Sequence, residues 1–428
     1  MHYFKPFSLL LSILLLSIII YMSTILIDNN HKIKSYKTEY ATLHSTAYGM
    51  FNSDVWTVKI IRIIDHKIKT FDLNTQNKNE VKSYIQTIID TLIVEAQRIV
   101  KERTQGKHGF FESILGSTKQ MITNSIIDFE DLRKRVPEFT DKVMIEIGKP
   151  QNQAQAKKVL QESVQKFISK KFKPTTDMTL YNRVIHKYGD TSFTQASTLL
   201  DTKIEKLSSN MNHTMKIILG LSFLLILFIV LQGTLNTLSL FLLSGTTLSL
   251  LSTGIMLPML DIEAKIAKLY FVIMDQPIVF ENQILFFQTK SISDLLQLLI
   301  NSGEAKMILV GILLTVFSIL FPMLKLISTA MYFYGNTILT NNPITRFFAL
   351  KSTKWSMADV MVVSIFMAYL GLDGVVNSEL KQLENKGNNA MNIITTNHTH
   401  LEIGFFLFLG FVLSSFILSM LVEKYKKL

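Results

Sequence analysis

The chain has 428 residues, 48% hydrophobic and 18% charged, and long uncharged apolar runs alternate with polar stretches. Because about 20 apolar residues span a bilayer core, this pattern belongs to an α-helical polytopic membrane protein. The absence of cysteine excludes disulfides, thiolate zinc sites and a cysteine nucleophile, and a net charge of +11 dispersed among acidic residues beside the spans suits anionic lipid headgroups better than nucleic acid.

Phe7 to Ile27 form the first apolar run, preceded by Lys5 and followed by no A-x-A cleavage pattern. Its length exceeds an ordinary signal-peptide core, so residues 1–27 are expected to be an uncleaved signal anchor. The polar interval 28–213 is long enough to be a domain. Ile85, Ile89, Leu92, Ala96 and Ile99, and again Val159, Leu160, Val164, Phe167 and Ile168, recur at helical spacing, which predicts an inserted helical extramembrane domain packed by ordinary core stripes.

The membrane domain is expected over 214–428. The apolar stretch from Met215 to Leu257 is too long for one ordinary span and suits two, about 215–233 and 236–257, joined at Gly233-Thr234-Leu235-Asn236. Further spans are expected at about 306–328, 356–376 and 403–422. Six spans put both termini on one side, together with Lys5, Arg346, Lys351, Lys354, Lys424, Lys426 and Lys427, which the positive-inside rule assigns to the cytoplasm. Lys32, Lys34 and Lys37 run against the rule. A single bent span over Met215 to Leu257 would reverse the assignment and make the inserted domain cytoplasmic.

Between Lys265 and Gln288, β-branched and aromatic residues bracket Asp275-Gln276-Pro277, a pattern that predicts a β-hairpin on the outer surface. Ser291 with Asp294 three residues on, before Leu295, Leu296, Leu298 and Leu299, predicts a short capped helix, either interfacial or packed against neighbouring spans. Asp261, Glu263 and Lys265 are either headgroup contacts or solvated loop charges.

Charges at membrane depth are costly, at least about 2.5–3.5 kcal/mol on insertion scales. Lys325 follows Pro322, which removes a backbone donor and is expected to free a carbonyl one turn earlier. Asp359 lies just inside the next span after Lys354 and Trp355, with Trp355 marking headgroup level. Lys325 either snorkels to the interface or pairs with Asp359 across two helices, the latter a device for gating or proton-linked movement. No P-loop, dinucleotide turn, H-E-x-x-H or nucleophile elbow occurs, so no catalytic residues and no enzyme activity are expected. His398 and His400 read as a loop-end polar pair, and neither a metal nor a cofactor is expected.

The words Leu257-Pro258-Met259, Phe317-Ser318-Ile319-Leu320-Phe321-Pro322-Met323-Leu324-Lys325-Leu326 and Lys354-Trp355-Ser356-Met357-Ala358-Asp359-Val360 occur in that order. In them, from about residue 252 to the C-terminus, the chain resembles the membrane module of the paraquat-inducible protein A family. The resemblance implies a four-helix, tetraspan-like module with an outer-face β-element, in the inner membrane of a double-membrane bacterium. It also implies a role in loading or extracting phospholipid for a periplasm-spanning lipid-binding partner of the cell-entry (MCE) type. Pro322, Lys325, Lys354, Trp355 and Asp359 match the family's motif positions. Familiar members carry cysteine-rich zinc ribbons and often two modules, whereas this cysteine-free chain carries an anchor and an inserted domain, so zinc is not carried over. A membrane sensor using that domain is the alternative function.

Overall fold

The computed structural model describes residues 4–70, 177–189, 192–232, 235–273, 276–334, 342–351, 358–385 and 391–426, with scattered residues between 82 and 162. Most of both apolar stripes expected in the inserted domain, and Lys354 and Trp355, lie outside the described residues. The elements run α1 (Phe4–Leu43), α2 (Ser53–Thr70), α3 (Thr179–Lys187), α4 (Phe193–Leu231), α5 (Thr237–Met256), β1 (Pro258–Ile273), β2 (Gln276–Ser291) and α6 (Ile292–Ile300). There follow α7 (Ala305–Thr315), the π-helical π1 (Val316–Leu320), α8 (Phe321–Tyr334), α9 (Pro343–Arg346) and the π-helical π2 (Phe347–Lys351). The chain ends with α10 (Ala358–Asn385), β3 (Met391–Asn397), β4 (His400–Leu401) and α11 (Ile403–Lys426).

Among the described residues six helical stretches are long and apolar enough to cross a membrane, and Met215 to Leu257 is divided between two of them, the end of α4 and all of α5. Were all six to cross, the two described ends of the chain would lie on one side and the sheet on the other. The helices outrun the spans expected from hydropathy. α1 has 40 residues and α4 has 39, about 60 Å each against a hydrocarbon core of about 30 Å. The boundaries expected at 27/28 and 213/214 therefore fall inside continuous helices, because polarity changes along α1 and α4 while helical geometry does not.

The buried side of α1 repeats at alternating steps of four and three: Ser12, Leu16, Ile19, Ser23, Leu26, Asn30, Ile33. Lys37 is the next position of that seam. A 3.5-residue repeat is what two long helices need to keep one face in contact. α4 and α5 both pack on α1, and the polar seam residues find partners in order along the parallel α5. Ser23 Oγ meets Ser249 Oγ at 3.1 Å, and Asn30 Nδ2 donates to the Met256 carbonyl at 3.4 Å.

The sheet has the order β2-β1-β3, with β4 also pairing β1, all antiparallel. The expected hairpin is present and longer than its aromatic centre suggested, since β1 starts at Pro258. α6 is capped as expected: Ser291 Oγ accepts from the Asp294 backbone N–H at 3.0 Å, and the Ser291 N–H donates to Asp294 Oδ2 at 3.1 Å. Ser291→Ala should cost about 1 kcal/mol, read as a lower detergent-melting midpoint.

The described ends of the inserted segment dock on this sheet. Trp56 is buried, donates from Nε1 to the Met50 carbonyl at 2.6 Å, and packs on Phe271 and Phe280 with centroids 5.8 and 5.2 Å away. At the top of α1, His44 bonds through Nδ1 to the Asn282 carbonyl at 3.0 Å and through Nε2 to Ser197 Oγ at 2.7 Å. Burial holds this imidazole below its ordinary 6.5, outweighing the pull of Asn282, Asp201 and Glu263. As pH falls through 6.5 the unfolded chain takes a proton that the folded one refuses, so stability at this junction is lost over the window just below 6.5. Hydrogen exchange at residues 40–48 and 193–200 should accelerate there, and His44→Gln should flatten the dependence.

Candidate functional site

Two polar clusters stand at opposite ends of the membrane core. The first is built by strand register. Asp261 is the cross-strand partner of Thr289 on β2 and of His400 on β4, so the three side chains share one face of the sheet, and Glu402 follows two residues after His400. Lys37 covers this row from α1, bonding Asp261 Oδ2 and, at 2.8 Å, Glu402 Oε1. His400 Nε2 lies 3.2 Å from Glu402 Oε1, and its Nδ1 lies 3.0 Å from the His398 carbonyl. Lys34, nearly one turn before Lys37, pairs with Asp294 at 2.6 Å.

Asp261 is 2% exposed. Burial, together with the neighbouring Glu402 carboxylate, pushes its carboxyl up to about 6 against the pull of Lys37. Glu402 is buried too, yet His400, Lys37 and Asp261 hold it below the usual carboxylate range, and Glu402 in turn raises His400. The two carboxylates therefore titrate as one pair.

These positions correct the sequence reading. Asp261, Glu263 and Lys265 belong to β1 and are not solvated loop charges. Asp261 is sealed beneath Lys37, and Glu263 and Lys265 pair with each other at 3.4 Å with side chains 19% and 18% exposed. His400 meets two carboxylates, which spacing alone concealed because Asp261 is 139 residues away in sequence (400 − 261). The heptad placement of Lys37 on an otherwise apolar and amide seam was the one available signal.

The second cluster surrounds Lys325, about 30 Å along its span from Ala305. Lys325 does not snorkel: it is 2% exposed and donates to Ser415 Oγ of α11 at 2.8 Å, with the Ser415 carbonyl at 3.4 Å. Asp359 is exposed at the start of α10, near enough for Coulomb attraction, but no ion pair joins it to Lys325 among the described residues. The expected direct pair is thus replaced by a serine contact, because α11 lies on the buried side of α8 and Asp359 on its rim.

The helix is irregular just before Pro322. The helix before it widens into π1, where the Phe321 N–H reaches back five residues to Val316. Ser318, buried inside π1, contacts Met361 Sδ of α10 at 3.0 Å, and Phe321 packs on Phe348 of π2 with centroids 5.5 Å apart.

α10 is tied to the sheet at its far end. Glu384 accepts from the Thr395 N–H and hydroxyl at 2.7 and 2.8 Å, and Asn397 donates to Asp373 Oδ1 at 2.7 Å. In its apolar window it is nearly bare, 6% buried, and the Ala305–Phe333 span is 17% buried, against 61% for α5 and 50% for α11.

No curated protein and no solved structure matches this chain. A family profile does match over residues 282–381, from β2 into α10, somewhat under a quarter of the chain and less than the resemblance traced from residue 252. That profile is described as paraquat-inducible protein A, and in the matched stretch, which contains Pro322, Lys325 and Asp359, this membrane protein is similar to that family.

Proposed function

We propose that this protein is a non-enzymatic inner-membrane component of a lipid-trafficking system, loading or extracting phospholipid for a periplasmic lipid-binding partner of the MCE type. The observation that carries the reading is the pairing of two spans whose apolar windows are mostly bare of protein with a buried amine on the packed side of one of them. Acyl chains can lie along α7, α8 and α10, where Leu309, Val310, Leu313, Val363, Phe366 and Met367 face outward. An ammonium at Lys325 is the group an anionic phosphodiester seeks at that depth. The π1 segment just before Pro322 gives the span a place to change register.

The similarity over residues 282–381 supports the same reading, as does the absence of nucleotide, nucleophile or hydrolase motifs. Arg346, Lys351, Lys424 and Lys426 lie toward the end of the spans where the termini are, which supports cytoplasmic termini on the positive-inside rule; on this reading the sheet and inserted segment face the periplasm. Purification in mild detergent followed by lipid mass spectrometry tests the proposal. Recovery of phospholipid and of a lipid-binding tunnel protein is the expected result. Recovery of neither, from chain that remains folded, overturns it.

A further inference from the structure

The sheet-end cluster calls for an electrophile that its own residues do not supply. The His398 carbonyl can only accept, so His400 Nδ1 carries a hydrogen, and whenever the ring is neutral Nε2 presents a lone pair. That lone pair faces a carboxylate oxygen, Glu402 Oε1, at 3.2 Å. Asp261 Oδ1 is buried beside them without a hydrogen-bond partner, and one donor atom from each of Asp261, His400 and Glu402 lies within 4.8 Å of the others.

A proton on Nε2 serves Glu402 and leaves Asp261 Oδ1 unserved. A metal ion serves all three. The 3.2 Å separation is close to the edge of a tetrahedron with legs of about 2.0–2.1 Å, which comes to about 3.3 Å. Independent signs of a ligand adjoin the cluster. Asn30 and Thr289 are 8% and 7% exposed, and Asn30 Oδ1 and Thr289 Oγ1 have no partner. Both side chains line a cavity that Lys37 and Glu402 also line, with room for about one water molecule.

We infer that Asp261, His400 and Glu402 form a binding site for a zinc-like divalent cation on the sheet side of the membrane, with Lys37 as a built-in competitor. One imidazole and two carboxylates leave a fourth position open for water, a donor set suited to Zn²⁺ and poorly suited to Mg²⁺. Two carboxylates and one ammonium sum to −1. A divalent ion replacing the ammonium brings the sum to zero, and the Lys37 side chain, 15% exposed, has a route to solvent. Occupancy therefore exchanges the tie between α1 and the sheet for one among β1, β4 and the start of α11.

The test uses the untagged full chain in detergent, stripped with chelator and titrated with Zn²⁺ alone by calorimetry near pH 7. Wild type should bind one ion with a dissociation constant in the micromolar range or below, and Mg²⁺ should not compete. His400→Ala should weaken binding at least tenfold. That side chain is 55% exposed, so the fold should survive, which circular dichroism checks. Lys37→Gln should tighten binding at least tenfold, an effect that a purely structural ion-pair cluster does not produce. His398→Ala, which keeps the carbonyl, should change nothing. No Zn²⁺ binding by either wild type or Lys37→Gln, or binding indifferent to His400→Ala, overturns the proposal.

Discussion

Lys325→Met is expected to lower phospholipid transfer in reconstituted vesicles at least tenfold while leaving thermal stability unchanged or higher. The stability half follows from the environment: Lys325 is 2% exposed, and its amine has one serine as partner. Replacing a buried charged group with an apolar side chain of similar length is commonly neutral or stabilising by about 1–4 kcal/mol. A residue that costs stability yet stays in the span is expected to owe its place to another task, which on the proposed reading is meeting a lipid headgroup. A tenfold loss corresponds to roughly 1.4 kcal/mol. Asp359→Asn should have a smaller effect, because Asp359 is exposed and unbonded to the lysine. Wild-type transfer by Lys325→Met would reduce the amine to a packing group.

The second large effect concerns stability. Gly404→Ala should destabilise the protein by about 2–3 kcal/mol or prevent its accumulation, because the added Cβ would stand 2.4 Å from the Leu257 carbonyl oxygen and 2.6 Å from that of Pro258. Both obstacles are backbone, at the corner where α5 turns into β1, so neither can rotate away. Gly371→Ala and Gly374→Ala on α10 are the controls. A Cβ there meets nothing within 4 Å, and helix propensity favours alanine, so both should melt at or above wild type. Equal melting of Gly404→Ala and wild type would contradict the close approach of α11 to that corner.

Local signals carried much of this architecture in the sequence. The hairpin around Asp275-Gln276-Pro277, the Ser291–Asp294 cap and the division of Met215–Leu257 into two spans each depend on contiguous residues, and each matches the structure. The lengths of α1 and α4 were not legible, since hydropathy marks where the bilayer ends and says nothing about where a helix does. The clusters were legible only in part. Lys325 was conspicuous as a charge at membrane depth, but its partner Ser415 is an ordinary residue chosen by helix packing. The Asp261–His400–Glu402 row required the register of β4 on β1, which no spacing rule supplies. Lys37 required the heptad phase of α1, which its tidy 4-3 steps could have disclosed.

The continuity of α1 has a mechanical corollary. From Phe7 to Leu43 it contains neither glycine nor proline, so it has no hinge where it leaves the lipid. A sideways push on the outer tip near His44 would be carried along a rod about 60 Å long together with the sheet, α4 and α5 that are fastened to it. Mechanical work delivered on one side of the bilayer would thus be available on the other without a soluble messenger.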